Sequence, residues 1–369
     1  MATLAPDAIH GEFVRLAHAG LARHEYARGG MRVLRRAVAF DAAAAIWFDP
    51  TAALPVDEWI DDSMIDDAGL HLAEIELDAA DIDKFRELAA SGRRAARLSE
   101  ATDGKLDGGR GHREPPRPRG VGDELRTVDL GDSGLRGGMV LYRRQGAPPF
   151  TARDVNVLAS LAGECAEVQR VRLEQDLAAD GGDSDRGMLV LDDDDGVEMA
   201  DAAATAWLDE LGATGRQLPL VVTAVAERAR AIESGRIDHP ATATVRARAV
   251  SGRWVMVRGS ALVNGGGAPR IAVTLEPARA PELAEVIADG FGLTARERRV
   301  TELVGRGLPT AAIAAQLYLS AYTVQDHLKA IFEKLDVSTR GQLVARLFVD
   351  HSLGRRQRPA PAATVAQRA

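Results

Sequence analysis

The sequence predicts a multidomain α+β protein: two α/β domains followed by an all-α four-helix domain. Three observations lead there. A chain of 369 residues is longer than one hydrophobic core ordinarily serves. Stretches between residues 186 and 277 alternate apolar and polar side chains with the period of strands. After residue 286 the apolar residues recur at helical spacing, punctuated by capping residues. A hydrophobic content of 46% with 27% charged residues is that of a globular chain.

The first domain spans residues 12–172. It opens on an amphipathic helix, Glu12–Tyr26, with Phe13, Leu16, Ala17 and Leu21 on one stripe. Ala37–Phe48 reads as a helix end followed by a strand. Ser99–Gly122 is dense in Gly, Pro and charge and reads as a surface loop. Glu124–Leu130 and Gly138–Arg143 are strands. Thr151 or Asp154 caps a closing helix whose apolar residues include Val155, Leu158, Leu161, Cys165, Val168 and Leu173. This ending resembles the GAF sensor domain, through Leu141-Tyr142-Arg143, Pro149-Phe150-Thr151 and Asp154. Residues 173–185 form the end of that helix as a linker. Its apolar repeat suits either a parallel dimer contact or packing on its own domain.

The second domain spans residues 186–277. Met188–Leu191 is a strand, Asp192–Gly196 an acidic turn, and a short strand follows. A helix then carries Ala203, Trp207, Leu208 and Leu211. Three strands complete the domain, within TATVRARAV, GRWVMVRGSALV and PRIAVTLEP, the last two joined at Asn264–Gly267. This order resembles the PAS domain, with Asp201 where family members often have Asn. Four consecutive aspartates read as a solvated hairpin turn rather than a metal site, because no further ligand cluster accompanies them. Trp207 and Trp254 read as core residues.

The third domain spans residues 286–350. Thr294 and Glu297 form a capping box, so a helix begins at Ala295. Val300, Leu303 and Val304 are its buried stripe, and Gly307 ends it. Pro309 and Thr310 open a second helix with Ile313, Ala314 and Leu317 inward. Tyr318-Leu319-Ser320 is a turn, and Ser320 caps a third helix, Ala321 to about Leu335. Val324, Leu328, Ile331 and Leu335 face the core. Tyr322, Thr323, Gln325, Asp326, Lys329 and Glu333 face out. A last helix, Arg340–Asp350, buries Leu343, Val344 and Leu347. Two short helices joined by a tight turn, the second with a polar outer face, is the helix-turn-helix pattern. Its partner is double-stranded DNA, and such units generally work in pairs.

The same residues resemble the LuxR-type DNA-binding domain: Leu293-Thr294, Arg296-Glu297, Gly307-Leu308, Ile313-Ala314, Leu319-Ser320, Thr323-Val324, His327-Leu328, Lys334-Leu335, Val337-Ser338 and Arg340. The resemblance places Gln325, Asp326 and Lys329 against base edges. Gln suits adenine, Asp accepts from cytosine, and Lys reaches guanine or phosphate. Many family members have a basic or apolar residue in place of Gln325 or Asp326, so the operator sequence is left open. Thr310, Ser320, Tyr322, Thr323, Lys334 and Arg340 complete the candidate DNA-contacting set. Arg340 has two readings, an ion pair with Glu297 or a phosphate contact. Residues 351–369, with Arg355, Arg356 and Arg358, read as a disordered basic tail.

Charge follows the same division. From residue 291 onward 12 Lys and Arg stand against 6 Asp and Glu, a net +6. The rest of the chain carries 34 against 48, a net −14. A basic terminal unit on an acidic body suits contact with phosphate by one end only. No GxxxxGK[ST], GxSxG or HExxH pattern occurs, and no cofactor, metal or catalytic residues are expected. The single Cys165 excludes an internal disulfide. No stretch of about 18 apolar residues is present, and the start lacks a signal-peptide pattern. A cytoplasmic homodimer whose first two domains sense a small-molecule signal or partner is the expectation. The competing reading is a small-molecule-binding or enzymatic N-terminal half with an accessory DNA-binding tail.

Overall fold

The computed structural model describes residues 6–17, 19–61, 85–101, 121–131, 134–161, 186–215, 217–237, 242–262, 269–278, 282, 288 and 291–344. Two antiparallel sheets precede a cluster of short helices. Residues 102–120, residues 162–185 with Cys165 and the whole expected linker, the 264–267 turn, Leu347 and the tail lie outside these residues.

The opening helix departs from its expected form. It is two helices, α1 (Pro6–Ala17) and α2 (Arg23–Leu34), separated at Gly20, where φ is +65°. The Glu25 carboxylate accepts from the Ala22 amide at 3.0 Å and starts the second helix. Phe13 meets Tyr26 edge to face at 6.3 Å. Phe13, Leu16 and Ala17 of the expected stripe belong to the first helix and Leu21 to the turn, while the second helix adds Tyr26 and Met31 of its own to the same core.

The first sheet comprises β1 (Ala42–Asp49), β2 (Leu54–Ile60), β3 (Ala95–Arg97), β4 (Val121–Gly131) and β5 (Gly134–Arg144), in the order β2-β1-β5-β4-β3. Every residue of β1 is buried, because both sheet faces are covered. Phe13, Leu34, Leu141, Phe150 and Leu158 pack on one face. On the other, Ala42, Ala44, Ile46 and Phe48 meet α3 (Phe85–Ala90). A short helix, α4 (Leu98–Ala101), follows β3, and β4 already begins at Val121, so both ends of the expected Ser99–Gly122 loop are regular structure, tied together where the Ser99 hydroxyl donates to Asp123 at 3.0 Å. Gly138 of β5 is required beneath α3: a Cβ would lie 2.4 Å from the Phe85 ring and 2.5 Å from the Thr127 carbonyl.

At the end of this domain a hydrogen-bonded corner forms. Thr151 donates through its amide and hydroxyl to Asp154 at 2.8 and 2.9 Å, and the Asp154 amide donates back to Thr151 Oγ1 at 3.2 Å. Arg143 donates to Asp154 and to the Pro148 and Pro149 carbonyls. Both capping alternatives are thus used, reciprocally, at the start of a helical stretch over residues 152–161.

The second sheet comprises β6 (Gly187–Leu191), β7 (Val197–Ala200), β8 (Thr244–Arg248), β9 (Trp254–Leu262) and β10 (Arg270–Pro277). Its order, β7-β6-β10-β9-β8, repeats that of the first. Helices α5 (Ala202–Glu210) and α6 (Leu220–Glu233) cover one face with Trp207, Val221 and Val225. Asp201 caps α5 by accepting from the Ala204 amide at 2.7 Å. In the acidic turn the Asp192 carboxylate accepts from the Asp194 and Gly196 amides. Arg230 pairs with Asp195, and Arg270 with Asp193 and Glu198. Among the described residues no group of three or more side chains is arranged for a metal ion.

The two sheets meet at the β1–β2 turn. Asp49 is buried and accepts from the Thr51, Ala52 and Arg246 amides. Leu54 is fully buried in the second domain's core. Four helices end the described chain: α7 (Ala295–Gly305), α8 (Thr310–Leu317), α9 (Ala321–Leu335) and α10 (Arg340–Val344). Their core includes Leu293, Val300, Ile313, Val324, Ile331 and Leu343. Trp254 of β9 is half-buried against that cluster, whereas Trp207 is internal to its own. No described helix is long and apolar enough to cross a membrane.

Candidate nucleic-acid interface

The interface is assembled from local signals. Thr294 Oγ1 accepts from the Glu297 amide at 3.3 Å, and the Glu297 carboxylate accepts from the Thr294 amide at 2.7 Å. α7 stops before Gly307, whose φ of +81° turns the chain. α8 ends at Leu317, the capping Tyr318 is also left-handed, and the Leu319 amide donates to the Ala314 carbonyl at 2.9 Å. The Ser320 hydroxyl then accepts from the Thr323 amide at 3.0 Å and starts α9.

α9 buries Val324, Leu328, Ile331 and Leu335 and leaves its opposite face open. Tyr322 is 73% exposed, and Gln325, Asp326 and Lys329 are exposed. At about 100° per residue these four occupy roughly a 100° arc. Such a face offers an amide, a carboxylate, an ammonium and a phenol to one groove. Glu333 is exposed farther along the same face.

The remaining candidates take other positions. Ser320 and Thr323 sit at the N-terminal end of α9, their hydroxyls 2.8 Å apart. Thr310, half-buried, begins α8. Lys334 donates to Glu297 at 2.6 Å and to the Gly292 carbonyl at 2.9 Å. Arg340 donates to the Leu308 carbonyl. Of the two readings of Arg340, the ion pair with Glu297 is thereby taken by Lys334 instead. Burial pushes the Glu297 carboxyl up, but the hydrogen bonds from Lys334 and Thr294 and the Lys334 charge outweigh it and hold the group below its ordinary value. Sequence reasoning placed Tyr318 only in the turn; here it stands out beside the start of α9. No periodicity flags it, because it belongs to neither helix.

Farther up the chain, one face of the first sheet holds charged groups among apolar ones. Glu124 pairs with Arg126, both almost fully buried. Tyr142 lies opposite Glu124 across the β4–β5 ladder. Burial, with the neighbouring Asp57 charge, pushes Glu58 up to about 7.

Residues 292–347 match the family profile described as bacterial regulatory proteins, luxR family. Over 72 residues the chain is 43% identical to a putative HTH-type transcriptional regulator of Aeromonas salmonicida, covering 20% of this chain and 36% of that protein. It is 41% identical over 70 residues to the transcriptional regulatory protein UhpA of Escherichia coli, covering 18% and 36%. It is 40% identical over 68 residues to DesR of Bacillus subtilis, covering 18% and 34%. The chain thus spans about a third of the length of these relatives. Among solved structures, a Vibrio cholerae VqmA–ligand–DNA complex shares 15% identity with a TM-score of 0.23, covering 50% of this chain and 88% of that one. PelD of Pseudomonas aeruginosa shares 13% with a TM-score of 0.29, covering 78% and 86%. The C-terminal unit is a luxR-type helix-turn-helix domain.

Proposed function

We propose that this chain is a sequence-specific DNA-binding transcription regulator, and not an enzyme, working as a cytoplasmic homodimer. The observation that carries the reading is α9: capped at Ser320, packed by one face and open along the Tyr322–Gln325–Asp326–Lys329 face. An α-helix fits the major groove, where Gln325 pairs with adenine, Asp326 accepts from cytosine N4, and Lys329 reaches guanine or phosphate. Ser320 and Thr323 meet phosphate at the helix N-terminus. Thr310 meets phosphate at the start of α8. Lys334 and Arg340 hold the scaffold and lend charge near it. One unit reads one half-site, which is why two copies are required.

The two preceding domains, GAF-like and PAS-like, form the sensing half. Support comes from the shared strand order of the two sheets and from Glu58, Glu124, Arg126 and Tyr142 on one largely apolar sheet face. A ligand or partner that prefers one arrangement of this half shifts the population competent to bind DNA.

The full chain is tested against a random-sequence duplex pool at low salt, by repeated selection and gel shift. Recovery of a common motif supports the reading. Failure to retain any duplex sinks it. Thermal shift of the full chain against a metabolite panel tests the sensing half, with a ligand-dependent rise expected.

A further inference from the structure

Tyr318 has a conformation its own chain does not reward. At the ends of α7, α8 and α9 three residues take positive φ: Gly307 (+81°), Tyr318 (+57°) and Asp336 (+50°). A glycine does so freely, and a short polar side chain does so more readily than a bulky one. Among the described residues Tyr318 is the only aromatic with positive φ. The fold needs the reversal, because it brings Leu319 back onto the core and Ser320 to its cap. It does not need the phenol. Tyr318 is 95% exposed, so packing returns nothing for the strain.

Its place supplies the missing partner. Tyr318 stands two residues before the cap of α9 and four before Tyr322. When a recognition helix enters the groove by its N-terminal end, the residues just before it border the sugar–phosphate backbone. We propose that Tyr318 is a DNA-backbone contact: its hydroxyl donates to a phosphate oxygen and its ring packs on the adjoining deoxyribose, fixing the depth and angle of α9. This rests on the DNA-binding reading of α9. The contact lies at the rim, so it adds affinity without base preference.

The test compares the wild-type chain with Tyr318→Asn and Tyr318→Phe, each full-length. The probes are a duplex selected by the wild type from a random pool and a scrambled duplex of equal length. Asn is expected to weaken binding about tenfold to both, the loss of one hydrogen bond to a charged group, leaving their ratio unchanged. Its thermal midpoint should stay level or rise, since Asn tolerates the left-handed region. Phe should lose most of the same affinity. Wild-type affinity in Tyr318→Asn overturns the inference. So does a changed ratio between the duplexes, which makes Tyr318 a base reader. A wild-type chain that retains no duplex overturns the DNA-binding reading itself, and this inference with it.

Discussion

Glu297 shows how one residue serves two purposes. Its carboxylate closes the α7 cap and holds Lys334 from α9, two helices apart in sequence. Glu297→Gln removes the ion pair and weakens the cap, at a cost of about 2 kcal/mol. The pH dependence follows from its lowered value. The contribution is present above the ordinary glutamate range and is lost as pH falls through the depressed folded value. Melting the two proteins between pH 3 and 7 should give a flatter acid limb for Glu297→Gln; an unchanged limb would refute the assignment. On the α9 face proposed to meet DNA the expectations differ by residue. Gln325→Ala should relax preference at one base position, a discrimination of about 1–3 kcal/mol. Lys329→Ala should weaken binding, with a shallower salt dependence if it meets phosphate. Quantitative gel shifts over a site library separate the two.

At the scale of elements, the corner after β5 binds a strand end, a proline turn and a helix start through Asp154. Asp154→Ala removes the carboxylate that accepts from Thr151 and Arg143, at a cost of about 2–3 kcal/mol. Urea unfolding followed by circular dichroism measures it, and a loss below about 0.5 kcal/mol would show that the corner is dispensable. Sequence spacing offers only the alternative caps, Thr151 or Asp154; that both act together, and that Arg143 joins them, comes from the fold. The break between α1 and α2 was less visible. Phe13, Leu16 and Leu21 keep helical spacing across it, and only Gly20 interrupts the run. β2 carries no local strand signal, because LPVDEWI combines a proline with charges. Its strand state comes from pairing with β1 over Ala44–Asp49.

At the scale of the molecule, the first two domains are joined through the β1–β2 turn. Asp49 lies against Arg246, with an ion pair of 3.6 Å, and Leu54 enters the second core. Asp49→Ala removes a buried charge partner and should destabilise both domains together, by about 3 kcal/mol. Hydrogen exchange tests this: protection should fall in β8 as well as in β1 and β2. A fall confined to β1 and β2 would mean independent domains.

The helix-turn-helix domain follows from sequence alone, down to the Thr294–Glu297 box, the Ser320 cap and the face of α9. Those relations join residues three or four apart, where helical geometry dictates who meets whom. Tertiary structure alone decided that both sheets take one strand order, that Leu54 belongs to the second core, and that Lys334 rather than Arg340 holds Glu297. Each of these depends on residues brought together from distant parts of the chain. Their partners are selected by packing and burial of the whole, which no local spacing encodes.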